Sequence, residues 1–132
     1  MPALHLFEYA TVRLVPRIER EEFLNAGVVL YCREQQFLRC RWLLPEARLL
    51  ALAGFEAALH LSLSELQLRL LAFERICAGG TNGGPIGQLG LAERFRWLTA
   101  QRSTVVQCSP VHPGLCVEAS ATLEQLFHQL VQ

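Results

Sequence analysis

The chain has 132 residues, 52% of them apolar, with 12 basic and 12 acidic side chains and a formal net charge of zero. A chain of this length suits one domain and buries roughly 68% of its unfolded surface, enough for a real hydrophobic core. The apolar content excludes a disordered chain, the short and interrupted apolar runs exclude a membrane-spanning helix, and the charge balance speaks against a basic nucleic-acid surface.

The basic residues are all Arg and the acidic ones all Glu; there is no Lys and no Asp. Without Lys there is no P-loop, no Schiff-base lysine and no Ser–Lys dyad. Without Asp there is no Asp-based metal site or triad. The Arg bias has a plain reading, codon composition, and a functional one, recognition of planar anions by guanidinium forks. The N-terminal stretch carries Glu8 and Glu19 and no charged-then-apolar signal pattern, so a cytoplasmic location is expected. The cysteines, at 32, 40, 77, 108 and 116, are odd in number and form no C-x-x-C. Reduced, mostly buried thiols are the simplest expectation.

In chain order, Phe7 to Val15 is rich in β-branched and aromatic residues and stops at Pro16, which predicts a strand. Arg17 to Glu22 is a charged connection. Ala26 to Arg33 predicts a second strand. Gln36 to Leu44 alternates: Leu38, Cys40, Trp42 and Leu44 point one way, Arg39 and Arg41 the other, so this third strand has a buried Trp42 side and a wet Arg side. The break at Glu34-Gln35 makes strands two and three an antiparallel hairpin.

Pro45 to Leu52 predicts a short helix. Ser62-Leu63-Ser64-Glu65 has capping-box spacing and opens a longer one, with Leu63, Leu66, Leu70, Phe73 and Cys77 as its apolar stripe. Gly79 ends it as a left-handed cap. Half of residues 79–90 are glycine, which predicts a flexible loop. Leu91 to Leu98 resumes as helix, Ser103 to Cys108 is a fourth strand, and Ser120 caps a last helix with Leu123, Leu126, Phe127, Leu130 and Val131 on its apolar face. The whole reads as one α+β domain over residues 1–132. Its single small sheet, antiparallel or mixed, has about four strands, with helices packed mainly on one face.

Four segments carry a resemblance. Tyr9-Ala10-Thr11-Val12-Arg13-Leu14-Val15-Pro16 is followed by Glu22-Phe23-Leu24-Asn25-Ala26-Gly27-Val28-Val29-Leu30, and later come Glu93-Arg94-Phe95 and Arg102-Ser103-Thr104-Val105-Val106-Gln107. Their order and spacing resemble the bacterial domain-of-unknown-function family 3037 over nearly the whole chain. That resemblance implies a bacterial protein without an established activity, encoded beside HipA-like kinases in many genomes, and hence a protein partner such as a HipA-like kinase. Glu19-Arg20-Glu21-Glu22-Phe23-Leu24 also resembles the ribonuclease III signature. The metal-binding Asp of that signature is missing, and the following Val28-Val29-Leu30-Tyr31 prefers a strand where that enzyme needs a helix.

The polar clusters are few. Cys108, His112 and Cys116 could supply soft ligands with Cys40 or Cys32 as a fourth, but Pro110, Pro113 and Gly114 read more simply as a turn between two half-buried thiols. A thiol–imidazole pair would need the two groups to converge, which sequence neighbours rarely do. The glycine stretch lacks a phosphate-binding motif, although the helix after it could present free amides to an anion. Glu93 and Arg94 lie on that helix, where Trp97 with Arg96 makes an amphipathic patch suited to a protein interface. Arg13, Glu22, Asn25, Arg94 and Arg102 are the candidate ligand-binding residues: if the strands are antiparallel neighbours, the first three gather at one end of the sheet and Arg102 can reach it. Their forks would favour a phosphate or carboxylate; the plain alternative is a Glu22–Arg pair that pins a connection. No catalytic residue, metal or cofactor is expected. The sequence therefore points to a non-catalytic interaction or regulatory module, with a small-ligand or nucleotide-binding domain as the alternative.

Overall fold

β1 (His5–Leu14), β2 (Leu24–Cys32) and β3 (Phe37–Trp42) form an antiparallel meander. The computed structural model describes residues 2–17, 20–54, 61–102 and 104–132. Arg33–Gln36 makes the expected hairpin turn, closed by the Gln36 N–H donating to the Arg33 carbonyl at 3.1 Å, with Gln36 in the left-handed region at φ 50°. In β2 the register steps from Val12↔Gly27 to Arg13↔Asn25, so Ala26 is the extra residue of a bulge. Gly27 beside it lies so close to β3 that a Cβ would stand 2.9 Å from the Arg41 carbonyl oxygen.

β1 is paired on both edges. β4 (Val106–Cys108) and β5 (His112–Cys116) lie end to end along the side away from β2, which gives the order β3–β2–β1–β4 with β5 also on β1. Ser103, where the fourth strand was expected to begin, lies outside the described residues. Val12 faces Cys108 and Tyr9 faces His112, so two residues of β1 oppose the three from Ser109 to Val111. Pro110 has no N–H to offer there. The Ser109 hydroxyl oxygen accepts the Thr11 N–H at 2.9 Å, and the Ser109 N–H donates to the Thr11 carbonyl at 2.9 Å. The Pro- and Gly-rich stretch that reads as a turn is thus a strand beyond a bulge, and Pro113 is tolerated because β5 is an edge.

Every residue of β2 from Ala26 to Cys32 is buried, which requires cover on both faces. On one face Val29, Tyr31, Leu38 and Cys40 pack against α1 (Glu46–Ala53), α2 (Leu63–Ala78) and α3 (Leu91–Thr99) through Leu49, Leu66, Leu70, Phe95 and Leu98. On the other, Phe7, Val28, Leu30 and Cys32 pack against α4 (Ala119–Leu130) through Leu123 and Phe127. Arg39 and Arg41 are exposed and Leu38 and Cys40 buried, as the alternation predicts. Yet the Arg face is not simply wet: Arg41 pairs with Glu124 of α4 at 3.3 Å and lies 4.6 Å above the Phe127 ring.

The helix ends show which caps are local. Ser62 accepts the Glu65 N–H at 3.2 Å and so caps α2, while its hydroxyl, rather than the backbone N–H of a full capping box, donates to the Glu65 carboxylate at 3.1 Å. α4 differs from expectation. It starts at Ala119, and Ser120 is already inside it. Its cap comes from the β2–β3 turn: the Gln35 side chain accepts the Ala119 N–H at 2.8 Å and donates to the Val117 carbonyl at 2.7 Å. Replacing Gln35 with Ala should cost about 1 kcal/mol in urea unfolding, the size of a lost cap, whereas Ser120→Ala should change little. Equal stability of the Gln35→Ala variant and the parent would show that α4 is capped otherwise.

Candidate functional site

The five candidate residues separate into three environments. Arg13 and Asn25 are register partners across β1 and β2. Asn25 donates through Nδ2 to the Leu130 carbonyl in the last turn of α4 at 3.1 Å, and the Arg13 guanidinium lies 4.1 Å above the exposed Phe23 ring. Arg13 Nε and Asn25 Oδ1 are buried with no hydrogen-bond partner among the described residues. Glu22 is near in sequence but pairs with Arg20 rather than Arg13.

Arg94 is buried against the end of α2. Its Nη1 donates to the Ile76 carbonyl at 2.9 Å and the Cys77 carbonyl at 2.7 Å, and its Nε to the Leu89 carbonyl at 2.9 Å. The Ile76 and Cys77 carbonyls belong to the last turn of α2, where a cation is also favoured by the helix dipole. Gly79 makes the fit possible. It holds φ 79°, and a Cβ there would stand 2.8 Å from Arg94 Nη1. Residues 79–90 fold over this cation as two short 3-10 turns, Thr81–Gly83 and Ile86–Gln88, tied by the Gly80 N–H on the Gly87 carbonyl at 3.0 Å. Arg102 donates through Nη2 to the Trp97 carbonyl and lies 4.4 Å above the Trp97 ring. Arg13 pairs with Gln107 of β4, and Arg102 borders a hollow with Val106 of the same strand, so both lie at the β4 end of the sheet. Thus Arg13, Asn25 and Arg102 come to one end, Glu22 turns to its own connection, and Arg94 pins α2.

The thiols are core groups. Cys108 belongs to the core under α2 and α3, Cys116 to the one under α4, and the exposed His112 stacks 5.4 Å from the Tyr9 ring, so these three do not converge. Burial pushes Cys40 well up, and Cys77 and Cys108 from 9.0 to about 12, although Arg94 draws Cys77 down and Arg102 and Arg13 draw Cys108 down. At neutral pH these thiols are protonated, the unreactive form. Between 9.0 and about 12 the unfolded chain loses thiol protons that the folded chain keeps, so this contribution to stability is complete below 9.0 and is lost as pH rises through that window. Unfolding free energy should therefore fall above about pH 9, with a shallower slope in Cys77→Ala. An identical slope in that variant would show that Cys77 ionises as freely folded as unfolded.

Two surface features take shape only in the fold, and they divide between them the Arg96 and Trp97 that the sequence marked as one amphipathic patch. Leu6 and Leu115 are register partners across β1 and β5, 57% and 64% exposed. Leu4 and Val117, 59% and 48% exposed, lie just beyond the His5↔Cys116 end of this pairing. Beside them a hollow of about 690 Å³ is bordered by Glu8, Tyr31, Arg33, Ala92 and Arg96. There Arg96 grips Glu8 with two hydrogen bonds of 2.9 and 3.0 Å. Finding this patch required knowing that residues 112–116 form a strand. The second feature is a groove of about 330 Å³ between α2 and α3, where Arg102 meets Arg69, Phe73, Ile76 and Trp97. Its α2 wall was readable, since Arg69, Ala72, Phe73 and Ile76 stand at i, i+3, i+4 and i+7.

An α+β domain with an antiparallel sheet and two apolar cores is thus defined, and no group of three or more His, Cys or Glu side chains that could hold a metal occurs among the described residues. A family model described as a protein of unknown function (DUF3037) matches residues 9–131, and the chain belongs to that family. No curated protein and no solved structure matches it.

Proposed function

We propose that the protein is a non-catalytic interaction module that docks a protein partner on the open apolar end of its sheet. The observation that carries this reading is the exposed pair Leu6 and Leu115, register partners on β1 and β5, with the exposed Leu4 and Val117 just beyond the ends of those strands. Contiguous exposed apolar surface costs solubility and marks interaction sites more often than it marks nothing. The border also suits an interface. The Glu8–Arg96 pair and the His5–Glu34 pair, the latter at 2.8 Å, form a polar rim beside an apolar centre. The patch is a sheet face rather than an enclosed cleft, which favours a protein over a small molecule.

A HipA-like kinase, the gene neighbour that the family resemblance implies, is the first partner to try. The test is copurification and titration calorimetry with the neighbouring kinase, for the parent chain and for Leu115→Arg. Leu115 lies on an outer strand and is mostly exposed, so the substitution should leave the thermal midpoint unchanged. It should weaken the complex by about tenfold or more. A kinase that does not bind the parent chain would remove this partner, and a folded Leu115→Arg chain that binds as the parent does would remove the surface.

A further inference from the structure

The geometry points to a second recognition site, the groove between α2 and α3, which takes an acidic segment of a partner protein through carboxylates flanking one apolar side chain. It goes beyond the surface proposed above and does not depend on it: α3 presents Ala92 and Arg96 to that surface and Trp97 to this groove.

The groove is small and amphipathic. Phe73 and Ile76 are buried at its base, Val106 extends the apolar floor, and Trp97, 41% exposed, forms one bank. Two cations line it. Arg69 projects from the exposed part of α2, and Arg102 has its guanidinium carbon 4.4 Å from the centre of the Trp97 ring and one nitrogen on the Trp97 carbonyl. Those contacts hold the guanidinium in place and leave its other N–H groups for a ligand. Among the described residues neither Arg69 nor Arg102 is paired with a carboxylate; the ion pairs there use His5, Arg20, Arg41 and Arg96.

Charge complementarity selects the occupant. Two unneutralised guanidiniums beside an apolar floor are matched by carboxylates on either side of a Leu-, Ile- or Phe-like anchor, with bidentate pairing to each fork. A purely apolar segment would desolvate both cations without pairing them, and a basic one would be repelled. Arg and Trp are also the residue types that most often carry binding energy at protein interfaces.

The experiment is selection of a phage-displayed random peptide library on the folded chain, followed by affinity measurement of the synthetic winners. The winners should carry Glu or Asp within two positions of a large apolar residue. They should bind more weakly as salt rises and shift the emission of Trp97 in a Trp42→Phe background. Affinity should drop by about tenfold or more in an Arg69→Glu, Arg102→Glu double variant, with the thermal midpoint checked to show that it folds, and should be unchanged in Leu115→Arg. Should the double variant not fold, Arg69→Gln and Trp97→Ala, at exposed positions, carry the same comparison. The proposal is overturned if the winners are not enriched in acids, if the folded groove variants bind them as the parent does, if Leu115→Arg abolishes binding, or if benzoate and inorganic phosphate alone displace them fully, which would make the groove a small-anion site.

Discussion

The seven-residue run from Ala26 to Cys32, buried throughout, is the constraint on which the rest of the structure depends. A strand has two faces, and side chains of alternating residues point into both. Val29 and Tyr31 need one apolar cover; Val28, Leu30 and Cys32 need another. α2 and α3 provide the first, and α4 provides the second. Because α4 is the last element, the C-terminal segment must return to the central strands, and Gln35 in the hairpin turn receives it by capping its first turn. Asn25 and Arg48 hold its other end through the Leu130 and Val131 carbonyls, at 3.1 and 2.9 Å. The sheet, its turn and its last helix are therefore one cooperative unit.

Much of this was legible in the residues because the signals are local. Alternation in Leu38-Arg39-Cys40-Arg41-Trp42 sets the register of β3, and the Ser62–Glu65 cap sets the start of α2. The second face was also written there, in a β2 that does not alternate, but a continuous apolar run does not say which element will cover it. β5 was hidden by Pro110, Pro113 and Gly114. Two of these are edge-strand and bulge features, and Gly114 clears space for the Phe7 ring, which a Cβ would approach to 2.5 Å. The α4 cap was misplaced because a Gln 84 positions away supplies it, and no local pattern encodes that.

The same contrast governs the candidate site. Arg94 attracts notice in the sequence as a conspicuous cation, yet it is spent on the carbonyls that end α2, and Gly79 of the glycine-rich loop leaves it the room. Asn25 is partly spent on α4. What the fold leaves over for a partner is less conspicuous: leucines on the outer strands and arginines on the α2–α3 flank, residue types that any surface contains. Their meaning comes from juxtaposition, which arises only after β5 has paired with β1 and α3 has packed beside α2.

The measurement that reaches this account most directly is the unfolding free energy of Phe127→Ala, set against Leu68→Ala as an exposed control on α2. Phe127 is fully buried between α4 and the second face of the sheet, while Leu68 is 62% exposed. If α4 is the cover that β2 requires, Phe127→Ala costs about 3–5 kcal/mol and Leu68→Ala stays within about 0.5 kcal/mol of the parent. A Phe127→Ala chain as stable as the control would mean that α4 does not close the second face, and would contradict the two-faced architecture.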